Sequence, residues 1–365
     1  MNNTKDPKVS IQTLDSQKEP QPPPRPLGES EPLAFIALDC YYYVAGEKVT
    51  GELLLNLPRD IPPAKLVFTS KGYEQVIVID PGSRSTSHQQ ASSEIYALNN
   101  TVGEWTHGLE AGQYVYPFTF KLPHFAPATF FYSGDDSKGN LVKAQICYEM
   151  GLKLEVPSKP ELNLSHSREF GVRNKYTRGK PSPSIELTEH ISGCCWRNLG
   201  GTRFKLSVAG DAHSQVDQEL KYKLEPDNSQ CSAPINHVTG QVQMQVQFAL
   251  NSGTINLTKT LSRISRPTWI SASTSLVFEK DFEYSTELKF GSEEMNPSSN
   301  HSPLIKVMYT VEVFVYYDIR CKREPTSIRL PLHVDPKTRR VREEPALPRP
   351  WEPLESKILV FQLNC

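Results

Sequence analysis

The chain lacks any run near the ~18 apolar residues that a membrane-crossing helix needs. Its longest apolar stretches, such as VEVFVYYDI, are strand-sized and carry charge. The opening MNNTKDPKVSIQ has no basic start followed by an apolar run, so no secretory leader is expected. An excess of one charge is also missing: 40 Lys+Arg face 41 Asp+Glu, which argues against broad nucleic-acid binding. The seven cysteines (Cys40, Cys147, Cys194, Cys195, Cys231, Cys321 and Cys365) show no metal-ligand spacing. Without a leader they read as reduced thiols of a cytoplasmic protein, and the Asn-x-Ser/Thr sites at Asn99, Asn163, Asn256 and Asn300 read as incidental. No HExxH, GxSxG, P-loop or GxGxxG pattern occurs, and the nine histidines are scattered. Asp135-Asp136 in SGDDSKGN has no nearby His, Arg or second acidic pair, so turn chemistry explains it. No catalytic, metal or cofactor residue is assigned.

What is present is β-sheet. At 365 residues the chain is long enough for two cores. Strand-like segments bounded by turn residues recur from LAFIALDC to TSIRLPLHV, and QVQMQVQF alternates strictly, as a sheet with one wet face should. EIYALNN is the one candidate for a short helix. LVKAQICYEMGL at Leu141 is echoed by LIKVMYTVEVFV at Leu304, with Glu149 and Glu312 at the same place in each. The expectation is an all-β protein with two tandem immunoglobulin-like sandwiches. Residues 1–31 form a disordered Pro-rich arm, 32–173 the first sandwich, 174–183 a linker, 184–336 the second sandwich and 337–365 a tail.

Several stretches have a structural reading. YYYVAGEKVTGELLLNL reads as two strands folded about Ala45-Gly46-Glu47. Gly46 serves the turn, and Gly51 marks a bulge or a close backbone approach. Leu53 and Leu55 face one side and Leu54 the other. In Tyr116-Pro117-Phe118-Thr119-Phe120 the two phenylalanines point into the core, and Pro117 suggests an edge or a strand start.

Other stretches suggest partners. Pro20-Gln21-Pro22-Pro23-Pro24-Arg25 fits P-x-x-P-x-R, so Pro20, Pro23 and Arg25 are candidate SH3-domain contacts, with a plain linker as the alternative. Cys194 and Cys195 are candidate acylation sites, with two small loop thiols as the alternative. Cys365 ends the chain given and so is not in CaaX context. Lys337, Arg339, Arg340 and Arg342 form a basic cluster offset by Glu343 and Glu344, read as solvated charge with anionic membrane contact as the alternative. The apolar SKILVFQLNC should dock on a sheet edge, because leaving Ile, Leu, Val and Phe exposed together is costly.

Four stretches, in this order, resemble the arrestin family, and its α-arrestin branch most of all. The first, YYYVAGEKVTGELLLNL, is similar to that family's Tyr-x-x-Gly-Glu-x-Val-x-Gly hairpin and is followed by LVFTSKGYEQV. The second is GLEAGQYVYPFTFKLPHFAPATFFYSG, the most specific of the four. The third is the Cys194-Cys195 pair ahead of GTRFKLSV, and the fourth is VMYTVEVFV with SIRLPLHV. Together they cover roughly residues 32–335.

The resemblance implies two curved β-sandwiches in a non-catalytic, cofactor-free adaptor. Such a protein would bind cytoplasmic tails of membrane proteins and link them to endocytic or endosomal sorting machinery. It would have peripheral membrane association at most and no nucleic-acid partner. Three departures limit the transfer. LAFIALDC lacks the paired lysines of phosphate-sensing relatives. No Pro-Pro-x-Tyr motif occurs, since Ile61-Pro62-Pro63-Ala64-Lys65 and Pro348-Arg349-Pro350-Trp351 do not fit. AGDAHSQVDQELKY lacks the Gly-Glu turn at the matching place of the second half. The competing readings are a retromer-type arrestin-fold subunit and an unrelated two-domain β-sandwich binding protein.

Overall fold

β-Branched, aromatic and aliphatic residues recur at alternate positions between turn residues, and the chain accordingly folds strand after strand. The computed structural model describes residues 32–80, 88–173, 184–193, 197–208, 213–215, 219–273, 283–287, 302–319, 324–335, 353–356 and 358–362. No α-helix occurs among them, and one 3-10 turn spans Pro160–Leu162.

The first sandwich has two main sheets. One is ordered β1 (Leu33–Leu38), β3 (Lys48–Leu57), β6 (Gly112–Lys121). The other is ordered β5 (His88–Trp105), β4 (Ala64–Ile79), β8 (Leu141–Glu155), with β7 (Phe130–Asp135) and β9 (Leu164–Glu169) both pairing with β8. A short parallel pair joins β2 (Tyr42–Val44) to β10 (Gly171–Arg173).

The second sandwich repeats the plan. One sheet is β11 (Ser184–Ser192), β12 (Asn198–Val208), β14 (Glu219–Asp227), β17 (Glu283–Glu287). The other is β13 (His213–Gln215), β19 (Thr326–Asp335), β18 (Ile305–Tyr317), β15 (Ile235–Leu250), β16 (Gly253–Ile270). The all-β, two-sandwich expectation is met. The two echoed segments become β8 and β18, each the partner of a long hairpin, β4–β5 or β15–β16.

Alternation decides which side chains meet. Leu53 and Leu55 join the main core, while Leu54 turns the other way to Ala37, Val115 and Phe35. Phe118 and Phe120 lie inward, with Phe118 at 5.0 Å from Phe68 of the facing sheet. In the second sandwich Tyr222 of β14 fills the space over Gly240 of β15, where a Cβ would lie 2.1 Å from its hydroxyl oxygen. Burying one such aromatic or aliphatic side chain contributes ~1.5–3 kcal/mol.

Two expectations need correction. EIYALNN is strand, the middle of β5, because the facing β4 supplies a pairing partner along most of its length and Tyr96 and Leu98 point into the core. The stretch around Gly46 is not a paired hairpin. Its turn holds a Glu47 N–H to Val44 C=O bond of 2.9 Å and Gly46 at φ +81°, yet β2 pairs with β10 and β3 with β1 and β6. The turn therefore carries the chain from one sheet to another.

Candidate functional site

The short-motif candidates Pro20, Pro23, Arg25, Cys194 and Cys195 lie outside the described residues, as does the basic cluster from Lys337 to Arg342. Asp136 does what the turn reading asks: burial pulls its carboxyl up, but the Asn140 side-chain amide at 2.9 Å and the Asn140 and Lys138 backbone amides at 2.8 Å each donate to it and hold it below the ordinary range. Cys147 is buried, and loss of hydration first and the Glu169 charge second push its thiol up to about 12, so it is a poor nucleophile at neutral pH. Among the described residues no three His, Cys, Asp or Glu side chains gather to hold a metal.

The features that bear on binding are edges and contacts. Strand β6 would be a sheet edge, but β20 (Pro353–Ser356) and β21 (Leu359–Val360) return to pair with it in parallel. Pairing runs from Gln113 to Val115 and resumes at Phe118, skipping Tyr116 and Pro117, whose ring nitrogen has no hydrogen to give. The Phe361 amide donates to the Thr119 carbonyl at 2.9 Å, and its ring stacks on Phe68 at 5.1 Å and 15°. Leu359 is buried, while Ile358 and Val360 are 74% and 70% exposed. The described part of the apolar segment docks on a sheet edge through Leu359 and Phe361, while Ile358 and Val360 stay outside.

The opposite edge, β1, is capped by side chains. The Ile36 amide donates to His166 Nδ1 at 3.3 Å, and Arg168 Nη1 donates to the Ile36 carbonyl at 3.1 Å, both from β9. Phe35 lies 4.5 Å from the His166 ring. Burial first and the Arg168 charge second hold the His166 imidazole below its ordinary pKa, which suits an unprotonated, accepting Nδ1.

The two sandwiches meet around Glu74. This side chain occupies a core-facing position of β4, in line with Ser70, Gly72, Val76 and Val78, and is fully buried. One carboxylate oxygen accepts the Ser302 hydroxyl and the Leu304 amide, the latter at 3.2 Å. The other oxygen has no partner among the described residues. Burial outweighs these bonds and raises the carboxyl above the usual range. Apolar contact flanks the bond, since Phe248 of β15 lies 5.5 Å from Tyr132 and 6.4 Å from Phe130. Ser252 at the β15–β16 turn donates to Gln89 at 2.5 Å.

Motif reading did not single out Glu74, Ser302, His166 or Phe361 by residue. For Glu74 a signal existed: a carboxyl at an inward place in an alternating strand is a violation that only a buried partner resolves. For Ser302 none existed locally, because its partner lies 228 residues away.

Residues 36–177 match the family model of the arrestin (or S-antigen) N-terminal domain. No curated protein matches the chain.

Proposed function

The chain carries an arrestin N-terminal domain on an all-β, arrestin-like framework, and from that premise we propose that it is a non-catalytic adaptor of the α-arrestin type. It joins cytoplasmic regions of membrane proteins to endocytic or endosomal sorting machinery. In this reading 32–173 and 184–336 are the N- and C-type sandwiches, 174–183 is the link between them and 337–365 is a tail. The protein works in the cytoplasm and is recruited to the plasma membrane or endosomes. Pro20, Pro23 and Arg25 offer an SH3-domain contact, and Cys194 and Cys195 an acylation site. The family match over the first sandwich carries the proposal. Its support is physical as well: buried rings make a rigid body, and outermost strands other than the covered β1 and β6, such as β11 and β16, give extended peptides a place to add strands.

Proximity labelling of the tagged protein in its own cells tests this. Recovery of membrane-protein tails together with sorting factors is expected. Recovery of soluble metabolic enzymes alone would refute the adaptor, and recovery of retromer components without a cargo tail would replace it with the retromer-type subunit.

A further inference from the structure

Ser302 is 1% exposed and uses both hydrogen-bonding roles of its hydroxyl inside the contact between the sandwiches. Its Oγ donates to Glu74 and accepts the Ile305 amide at 2.8 Å. The Leu304 amide is a second donor to the same Glu74 oxygen, at 3.2 Å. Glu74 forms no salt bridge among the described residues, and the neighbouring groups Ser70, Tyr96 and Tyr148 bring no positive charge.

The residue after Ser302 is Pro303. Proline lacks an amide hydrogen, and enzymes that select it at this place exploit that lack. The chain has two Ser-Pro pairs, Ser182-Pro183 and Ser302-Pro303, and no Thr-Pro. Ser182 lies outside the described residues, and Ser302 lies in the contact.

We propose that Ser302 is the acceptor for a proline-directed Ser/Thr kinase, reached when the two sandwiches part, and that the phosphate then keeps them parted. In the transfer a bond forms between Ser302 Oγ and the γ-phosphorus of ATP, the bond to ADP breaks, and the hydroxyl proton passes to the kinase's base. The product cannot resume its place. Its ester oxygen has no hydrogen for Glu74, and a group of about −1.5 to −2 charge would face a carboxylate in a buried site. Closure and phosphorylation therefore exclude each other. The closed contact hides the acceptor, and the modified acceptor forbids the contact, so a brief opening is converted into a lasting one.

The test is a site-resolved mass-spectrometric time course on the full chain with a purified proline-directed kinase and ATP. The same chain digested beforehand with trypsin serves as reference, since cuts after Lys289 and Lys306 release a peptide holding Ser302. Ser302 should be labelled at least about ten-fold more slowly in the folded chain than in the digest, as a protected site opens only part of the time. Glu74→Ala, which leaves two donors without their acceptor, should recover most of that difference, whereas Glu74→Gln, which keeps an acceptor oxygen, should not. Ser182 labelling should be the same in all folded variants. Solution scattering should show a larger radius of gyration once Ser302 is phosphorylated. Equal rates in folded chain and digest, no labelling of Ser302 even in the digest, or labelling without a change in scattering would each overturn the proposal. The comparison of folded chain with digest stands even if Glu74→Ala fails to fold.

Discussion

Glu149 and Glu312 hold the same place in the two sandwiches. Glu149 on β8 lies in register with Lys71 on β4 and Glu169 on β9, and Glu312 on β18 lies in register with Gln241 on β15 and Arg329 on β19. Both are ion-paired across the sheet, at 2.7 Å to Lys71 Nζ and 2.6 Å to Arg329 Nε. Their surroundings differ. The Glu149 side chain is 33% exposed and that of Glu312 is 3% exposed, with a second bond from Gln241 at 2.8 Å.

That difference sets unequal costs. An exposed pair such as Lys71–Glu149 contributes ~0–1 kcal/mol. The bonds that Glu312 accepts are charge-assisted and worth ~1.5–3 kcal/mol each, offset in part because the exposed Arg329 regains water when its partner goes. Glu312→Ala should therefore destabilise the second sandwich by about 2 kcal/mol, and Glu149→Ala the first by less than ~1 kcal/mol. Urea unfolding of the full chain, followed by probes in each sandwich, reads both. Equal losses would show that burial does not separate the two pairs.

Legibility in the sequence followed sequence distance. The alternating aromatics of Tyr116 to Phe120 and the turn glycine Gly46 were readable because strand period and positive φ are local properties. EIYALNN was not. Its Glu94, Ala97 and Leu98 are acceptable helix residues, and what makes it strand is β4, with Ser70 Oγ 2.9 Å from the Tyr96 hydroxyl. That the apolar end of the chain would dock was readable from its composition, but the choice of β6 depends on Phe68, a residue almost three hundred positions earlier whose ring Phe361 covers. The Glu74–Ser302 bond, 228 positions apart, was equally out of reach, for its partners belong to different sandwiches.

Gly51 tests close packing. A Cβ there would stand 2.2 Å from the Ala37 carbonyl oxygen and 3.0 Å from the Phe118 ring, and the carbonyl belongs to paired β1 backbone that cannot yield. Gly51→Ala should cost about 2–3 kcal/mol. Gly139→Ala is the control. Its Cβ would meet nothing within 4 Å, so only the φ of +83° opposes it, at ~1–2 kcal/mol. Thermal unfolding of the two variants should place Gly51→Ala lower, and the reverse order would refute the close-approach reading.

The docked tail makes a prediction about exchange. Phe361 is half-buried against Phe68, so Phe361→Ala should weaken docking by ~1–2 kcal/mol, less than the 3–5 kcal/mol of a fully buried ring. Amides that pair β6 with the tail should then exchange about 5–30-fold faster, while those that pair β6 with β3 should not change. Ile358→Ala, at a 74% exposed position, should leave both sets alone. Hydrogen exchange resolved to Gly112–Lys121 distinguishes these outcomes.

Acid should loosen the capped β1 edge through His166. Its Nδ1 can accept the Ile36 amide only while unprotonated, and Arg168, 3.1 Å from the Ile36 carbonyl, adds a positive charge that opposes protonation. Tyr43 faces the same pair but stays uncharged at these pH values, its hydroxyl being raised to about 12 chiefly by burial. The folded pKa of His166 lies below the unfolded one, so its contribution to stability is complete above ~6.5 and is lost as pH falls through the folded value. His166→Gln keeps an acceptor and cannot titrate there. The stability of wild type relative to this variant should therefore decline as pH falls below about 6.5 and through the folded value, while the carboxylates common to both cancel in the difference. Exchange of the Ile36 amide should quicken over the same window in the wild type alone. A difference that stays flat with pH would mean that the imidazole does not titrate against this edge, and the capping role would then rest on Arg168.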